Sequence, residues 1–226
     1  MMIKSLKNLT LFEWILWFCS LSVIAGTFLA TKAGDTLTVF SSLLGVTALI
    51  FIAKGDVLGQ ILTIIFSILY AVISYKYRYF SEILTYLGMT APIAGATVVE
   101  WIKNPYSERQ VRISTLSPKK AILLAVGAIS VTVLFFFIMR ALKTPNLYFS
   151  TVSITTSFLA SGLMLLRSPY YAIAYALNDV VLVVLWVLAT KTDSSFMPMV
   201  VCFLMFFVND VYGFVNWKVM ARKQQT

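Results

Sequence analysis

Eight apolar stretches, each close to twenty residues and most joined by turns of only a few residues, restrict this chain more than any other feature of it. They fall at roughly 11–30, 36–53, 57–75, 79–101, 120–141, 146–166, 170–190 and 196–218. A helix of about twenty apolar residues spans the hydrocarbon of a bilayer, and only a helix or a closed barrel satisfies its own backbone there. A barrel is built from ~10-residue segments of alternating hydropathy, a pattern this sequence does not contain. The expected fold class is an all-α polytopic membrane protein with eight transmembrane helices in a single membrane domain, 1–226. Composition agrees: 60% of residues are hydrophobic and 12% charged, with a mean hydropathy of +0.88, whereas a soluble domain is about half apolar.

The net charge of +9 does not point to nucleic acid, because Lys and Arg sit at the ends of apolar segments, where the positive-inside bias places them. With the N-terminus cytoplasmic, the inner segments hold twelve Lys or Arg, among them Lys4, Lys54, Lys103, Arg167 and Lys218. The outer segments hold six: Lys32, Lys76, Arg78, Arg140, Lys143 and Lys191. Both termini are therefore expected on the cytoplasmic side. Lys4 and Lys7 precede a run too long for a signal-peptide core, so the first helix is read as retained, with Glu13, Trp14 and Trp17 at its interfacial end. The absence of histidine removes His-based triads and the commonest metal ligand. Cys19 and Cys202 lie in separate spans without CxxC spacing and read as small buried hydrophobes. No cofactor or metal is expected.

The sequence repeats weakly. PIAGATVVEW (92–101) answers VNDVYGFVNW (208–217), aligning Glu100 with Asn216 and Trp101 with Trp217, and the turn at Lys54 aligns with Arg167. This divides the chain into an N-terminal helix (1–33), a first triple-helix repeat (34–103), a loop and linker helix (104–143) and a second triple-helix repeat (144–220). Three helices plus one linker return the second unit in the same orientation, which gives parallel repeats of the 3+1+3 kind known in SWEET transporters.

Two Asn-Asp doublets carry the candidate chemistry. Asn178-Asp179 lies near the middle of YYAIAYALNDVVLVVLWVLAT, and Asn209-Asp210 two-thirds along FMPMVVCFLMFFVNDVYGFVNW. A carboxylate at membrane depth is costly, faces a bundle interior or wet cavity, and marks a functional site by default. At 100° per residue Tyr175, Asp179 and Trp186 share one line, while Asn209, Tyr212, Gly213 and Asn216 share a face with Asp210 at its margin. A thin polar stripe runs Gln60, Thr63, Ser67, Tyr70 and Ser74, and Tyr86 lies between Glu82 and Glu100 on the next helix. Ser and Thr stripes more often serve interhelical hydrogen bonds than ligands. Trp101 and Trp217, near segment ends, have the usual positions of belt residues.

GMTAPIAGATVVEWIKNPY (88–106), SPYYAIAYALNDVVLVVLW and FFVNDVYGFVNW together resemble the PnuC family of nicotinamide riboside transporters over about residues 36–220. The family's marks match Asn178 and the N-x-x-x-G-x-x-x-W pattern at Asn209, Gly213 and Trp217. Pro92-Ile93-Ala94 stands where many members have an Asn-containing turn. The resemblance implies a SWEET-like 3+1+3 core in a homotrimer of the bacterial cytoplasmic membrane. It further implies facilitated diffusion, with the substrate trapped by a cytoplasmic nicotinamide riboside kinase, and no enzymatic activity of the chain's own. Relatives are thought to carry thiamine, riboflavin or deoxyribonucleosides.

Chemically, a cationic ring suits the faces of Trp186, Tyr175 or Tyr86, Asn or Gln pairs a carboxamide, and Asp accepts ribose hydroxyls and offsets the charge. The candidate binding set is Asn178, Asp179, Trp186, Asn209, Asp210, Tyr212, Asn216, Tyr175, Gln60 and Tyr86. Rival readings are proton-coupled uptake through Asp179 or Asp210, a structural membrane subunit, and, more distantly, an intramembrane aspartyl protease, whose glycine contexts are missing.

Overall fold

The computed structural model describes residues 5–31, 36–76, 79–144, 146–191 and 193–225. Among them are eight helices of spanning length: α1 (Leu11–Thr31), α2 (Thr36–Ala53), α3 (Val57–Lys76), α4 (Phe80–Lys103), α5 (Pro118–Ala141), α6 (Leu147–Leu165), α7 (Tyr171–Thr190) and α8 (Met197–Gln225). The expected spans are all present. α5 begins earlier than expected, at Pro118, because Ser117 caps it by accepting from the Lys120 N–H. α8 runs well past its expected end. Lys4, Lys32 and Arg78 of the charge count lie outside the described residues.

Short turns make sequence neighbours antiparallel partners, and α2·α3, α3·α4, α6·α7 and α7·α8 all pack together. Across the sequence α8 lies against α2 and α1, α4 against α6, and α5 against α6. Two apolar clusters fill the bundle. One gathers Val46, Phe66, Tyr70, Tyr86, Trp186, Phe203 and Phe206; the other gathers Ile52, Trp101, Tyr171, Trp217 and Met220. Most helical Ser and Thr hydroxyls donate to a carbonyl four residues back, as Ser41 to Leu37, Thr63 to Gly59 and Thr97 to Ile93. That satisfies them without water, as a bilayer requires.

One end of the bundle is bound together by polar contacts. Residues 105–111, expected to be plain loop, form a small antiparallel hairpin of β1 (Pro105–Ser107) and β2 (Gln110–Val111). The Val111 N–H donates to Gly55 O, Ser114 N–H to Arg167 O, and Ile113 N–H to Gln224 Oε1. Arg109 Nη1 donates to Ser5 Oγ, which donates to Asp56. The two helix-linking turns, the hairpin, Ser5 and Gln224 thus share one basic face.

The ends of α2 and α6 are built alike. Gly55 (φ 69°) and Arg167 (φ 58°) both take the left-handed conformation. The residue after each donates back across the helix end, Asp56 to Phe51 O and Ser168 to Leu163 O, the pattern of a Schellman cap. The residue answering Arg167 is therefore Gly55, one place from the expected Lys54. Trp217 Nε1 donates to Ile52 O at 2.9 Å and Trp101 Nε1 to Met164 O at 3.4 Å, and the two rings pack 5.5 Å apart. Both are fully buried, which corrects the expectation of membrane-belt residues: their donors close helix ends, a role that needs no headgroup.

Glu13 departs from expectation in the same sense. It is buried, not interfacial. It closes a capping box with Thr10, accepting from that residue's N–H and hydroxyl; it also accepts from Tyr212 at 2.6 Å and pairs with Lys54 at 3.2 Å. Cys202 is buried as expected but Cys19 is exposed, because α1 meets the bundle along one stripe only, Glu13, Ser20, Ile24 and Phe28.

α2 and α3 cross closely at Gly59, where an added Cβ would lie 2.6 Å from Ile52 N and 2.9 Å from Ala48 O. Backbone cannot yield as a side chain does. Gly59→Ala is expected to destabilise the protein by about 1–3 kcal/mol, seen as a lower thermal midpoint in detergent; an unchanged midpoint would show that the crossing is looser than this.

Candidate functional site

The polar side chains converge between the two apolar clusters. Asp179 sits eight residues into α7 and Asp210 thirteen into the antiparallel α8, about 12 Å and 20 Å from their helix starts at 1.5 Å per residue. That places both at similar depth, inside the hydrocarbon. Their carboxyl groups lie within hydrogen-bonding reach of each other, and each residue is 3% exposed. Two full negative charges 4 Å apart repel by about 4 kcal/mol at an effective dielectric of ~20. A pair in such contact is held by a shared proton or by a cation.

A small cavity of about 60 Å³ opens beside the pair, lined by six of the ten expected residues: Gln60, Tyr86, Tyr175, Asn178, Asp179 and Asp210. Phe66 and Phe206 add aromatic walls, and Thr63 and Thr90 add hydroxyls. Asn178 Oδ1 accepts from three hydroxyls of α6, Ser153 at 3.3 Å, Thr156 at 2.8 Å and Ser157 at 3.1 Å. With its carbonyl turned to α6, Asn178 has its amide N–H group left for the cavity. Tyr175 is fixed by its hydroxyl bond to Ser161, 2.8 Å. Two polar atoms in the lining have no partner among the described residues, the donor Gln60 Nε2 and the acceptor Asp179 Oδ2. Buried polar atoms are rarely left so.

The other four expected residues are turned elsewhere. Trp186 lies two turns beyond Asp179, donating to Tyr70 OH at 3.2 Å and packing on Tyr79 and Phe196. Asn209 donates to Ser20 of α1 and to Met205 O, Tyr212 donates to Glu13, and Asn216 donates to Ala53 O at the end of α2. These three join α8 to its neighbours. Glu82, which is not in the expected binding set, is buried with neither oxygen partnered among the described residues, close to Tyr70, Tyr79 and Tyr86.

The α4 wall has a local irregularity. Tyr86–Thr90 is wound as a π turn, with the Ala91 N–H reaching back to Tyr86 O. Pro92 explains it: without an N–H it cannot bond to Gly88 O, and the wider turn accommodates the loss. A larger cleft of about 560 Å³ lies on the basic face between the hairpin and α8, with Arg112, Tyr170 and Lys218 in its lining. It holds no carboxylate and lies outside membrane depth, so the inner cavity is the candidate site. Among the described residues no group of three or more His, Cys, Asp or Glu could hold a metal.

Residues 35–219 match the nicotinamide mononucleotide transporter family. The chain belongs to that family. As a member of the nicotinamide mononucleotide transporter family it is a multi-pass membrane transporter. The nicotinamide riboside transporter PnuC of Neisseria mucosa is 20% identical over 216 residues, covering 93% of this chain and 81% of the relative. A crystal structure of the vitamin B3 transporter PnuC superposes with a TM-score of 0.84 at 21% identity, covering 96% of this chain and 94% of that one. At that identity the superposition shows the fold, and it places this family member's eight helices in a PnuC-like arrangement.

Proposed function

We propose that this protein takes up nicotinamide riboside by facilitated diffusion and binds it in the cavity around Asp179 and Asp210. The observation that carries the reading is the carboxyl pair at membrane depth beside Tyr86, Tyr175, Phe66 and Phe206. A cationic heteroaromatic ring fits aromatic walls with an anion close by. The amide N–H of Asn178 and the free Gln60 Nε2 suit a carboxamide oxygen, and Asp179 Oδ2 suits a ribose hydroxyl. The relative named for nicotinamide riboside supports the same cargo. Ligand pockets measure ~300 Å³ or more, so a cavity of 60 Å³ belongs to a closed form whose walls part on binding.

On this reading α2–α4 and α6–α8 are parallel triplets joined by α5, as the matching caps at Gly55 and Arg167 and the paired tryptophans suggest. The basic face is cytoplasmic, in a bacterial inner membrane, and a cytoplasmic kinase traps the substrate by phosphorylation. The apolar outer side of α5, with Ile122, Leu123, Ile129 and Phe137 exposed, meets lipid or the neighbouring copies of a homotrimer.

Calorimetric titration of the detergent-purified protein with nicotinamide riboside, nicotinamide mononucleotide, thiamine, riboflavin and deoxyribonucleosides tests the cargo. Nicotinamide riboside is expected to bind most tightly. Gln60→Ala and Asn178→Ala should each weaken it by about 1–2 kcal/mol, five- to thirty-fold. Binding of a different vitamin alone would leave the carrier and change the cargo. The carboxyl contact is also the geometry of an aspartyl dyad, so hydrolysis is the second reading. A dyad loses all activity with either Asp, and cleavage of a membrane peptide by the wild type would establish it.

A further inference from the structure

Two hollows meet where α7 and α8 reach the basic face. One is the cleft of about 560 Å³, whose lining sets Arg112 and Lys218 beside Ser114, Ser168 and Gln225, with no carboxylate among the described residues. The other is a groove of about 250 Å³ on the outer side of the bundle, between the same two helices. Apart from the buried Asp210 its lining is apolar, with Ile173, Leu177, Val211 and Val215 exposed along it. Lys218 joins the two. Its ammonium donates to Tyr170 OH at 3.0 Å and lies 4.1 Å from the Tyr170 ring and 5.6 Å from that of Phe214, a groove residue. Lys218 stands twenty-one residues beyond Met197, the start of α8, a rise of ~32 Å against a hydrocarbon layer of ~30 Å. The cleft is therefore at headgroup level, and the groove leads from it through Phe214 and Val211 toward the middle of the bilayer.

We propose that an anionic phospholipid binds here, its phosphate on Arg112 and Lys218 and one acyl chain in the α7–α8 groove. The guanidinium fork matches phosphate oxygens and the ammonium adds a point charge; basic pockets at the ends of membrane helices take anionic headgroups in this way. A free anion would fill the cleft and leave the groove empty, whereas a neutral lipid would leave the cleft's positive charge unbalanced. Asp210 lines both the groove and the inner cavity. The acyl chain thus lies behind the Asp179–Asp210 pair and closes that side of it to water. The site is independent of the cargo and needs only the bilayer around the bundle.

The test uses the full-length protein in mild detergent, with phosphatidylglycerol, phosphatidylcholine of the same chains, or inorganic phosphate added. Native mass spectrometry reads the lipid retained, and the thermal midpoint reads its effect on stability. Phosphatidylglycerol is expected to be retained in preference to phosphatidylcholine and to raise the midpoint, and inorganic phosphate to leave it unmoved. A basic side chain at the membrane surface is worth about fivefold in affinity for an anionic lipid. Arg112→Gln combined with Lys218→Gln should therefore weaken phosphatidylglycerol about thirtyfold and abolish the preference, with folding checked by the lipid-free midpoint. Ala176→Leu, which fills the groove, should weaken both lipids; should it fail to fold, the charge variant decides alone. Equal retention of the two lipids by the wild type overturns the proposal. A midpoint raised as much by inorganic phosphate as by phosphatidylglycerol also overturns it, leaving an anion cleft only. Loss of an oligomer instead of lipid in Ala176→Leu assigns the groove to a second copy of the chain, and overturns it as well.

Discussion

Trp217→Ala is expected to lower stability by about 3–5 kcal/mol, the cost of emptying a buried aromatic site. Trp217 is 0% exposed, packs on Trp101 and Tyr171, and donates to the carbonyl of Ile52 at the end of α2. The substitution removes the ring contacts between α4, α7 and α8 and leaves a helix-end carbonyl without its donor. Trp217→Phe keeps most of the ring and loses the hydrogen bond, for about 1 kcal/mol. The likeness of the two helix ends can be read from the companion variant. Trp101→Ala, whose bond to Met164 O is 3.4 Å against 2.9 Å, should cost nearly as much. Thermal midpoints in one detergent compare all three. A Trp217→Ala protein as stable as wild type would mean that the Trp101–Trp217 contact holds nothing together.

The second large effect is at Lys54. Lys54→Met leaves Glu13 buried as an uncompensated carboxylate, a change that costs ~3–5 kcal/mol when nothing else supports the charge. Thr10 and Tyr212 still donate to it, so a loss near 3 kcal/mol is expected. Lys54 is 22% exposed on its side chain, which trims the figure further. The sign of the rescue is the sharper check. Adding Glu13→Gln should restore stability, because a neutral amide can accept from Thr10 through its oxygen, donate its N–H to the Tyr212 hydroxyl, and needs no cation. Were the double variant less stable than the single one, the ion pair would not be what places Glu13 there.

The eight spans were legible because hydropathy alone specifies them. The lining of the candidate cavity was legible in part. A 100° wheel put Tyr175, Asp179 and Trp186 on one line and correctly identified Asn209, Tyr212 and Asn216 as one face. A wheel ignores depth, so Trp186, seven residues on and ~10 Å further out, was grouped with a cavity it does not line. Nor does a wheel name the helix across the gap. The Asn209 face meets Ser20 and Glu13 of α1 and the end of α2, and only Asp210 at its margin reaches the cavity. Glu13 had a readable sign, the T-x-x-E capping box at Thr10–Glu13, but nothing local announced Lys54 and Tyr212 as its partners. The roles of Trp101 and Trp217 were hidden for a similar reason: position near a segment end suits both an interface and a buried helix-end clasp, and only the chain brought alongside separates them.

The π turn at Tyr86–Thr90 holds one residue more than the α-turn of the same height. Passing that surplus residue along the helix swings the side chains it passes by about 100°, while both ends of α4 keep their places. Tyr86 and Thr90, which line the cavity, stand at the two edges of that stretch. Such a wall can trade an aromatic face for an aliphatic one by a local change of winding, so room for a ligand can be made within one helix while the rest of the bundle keeps its packing.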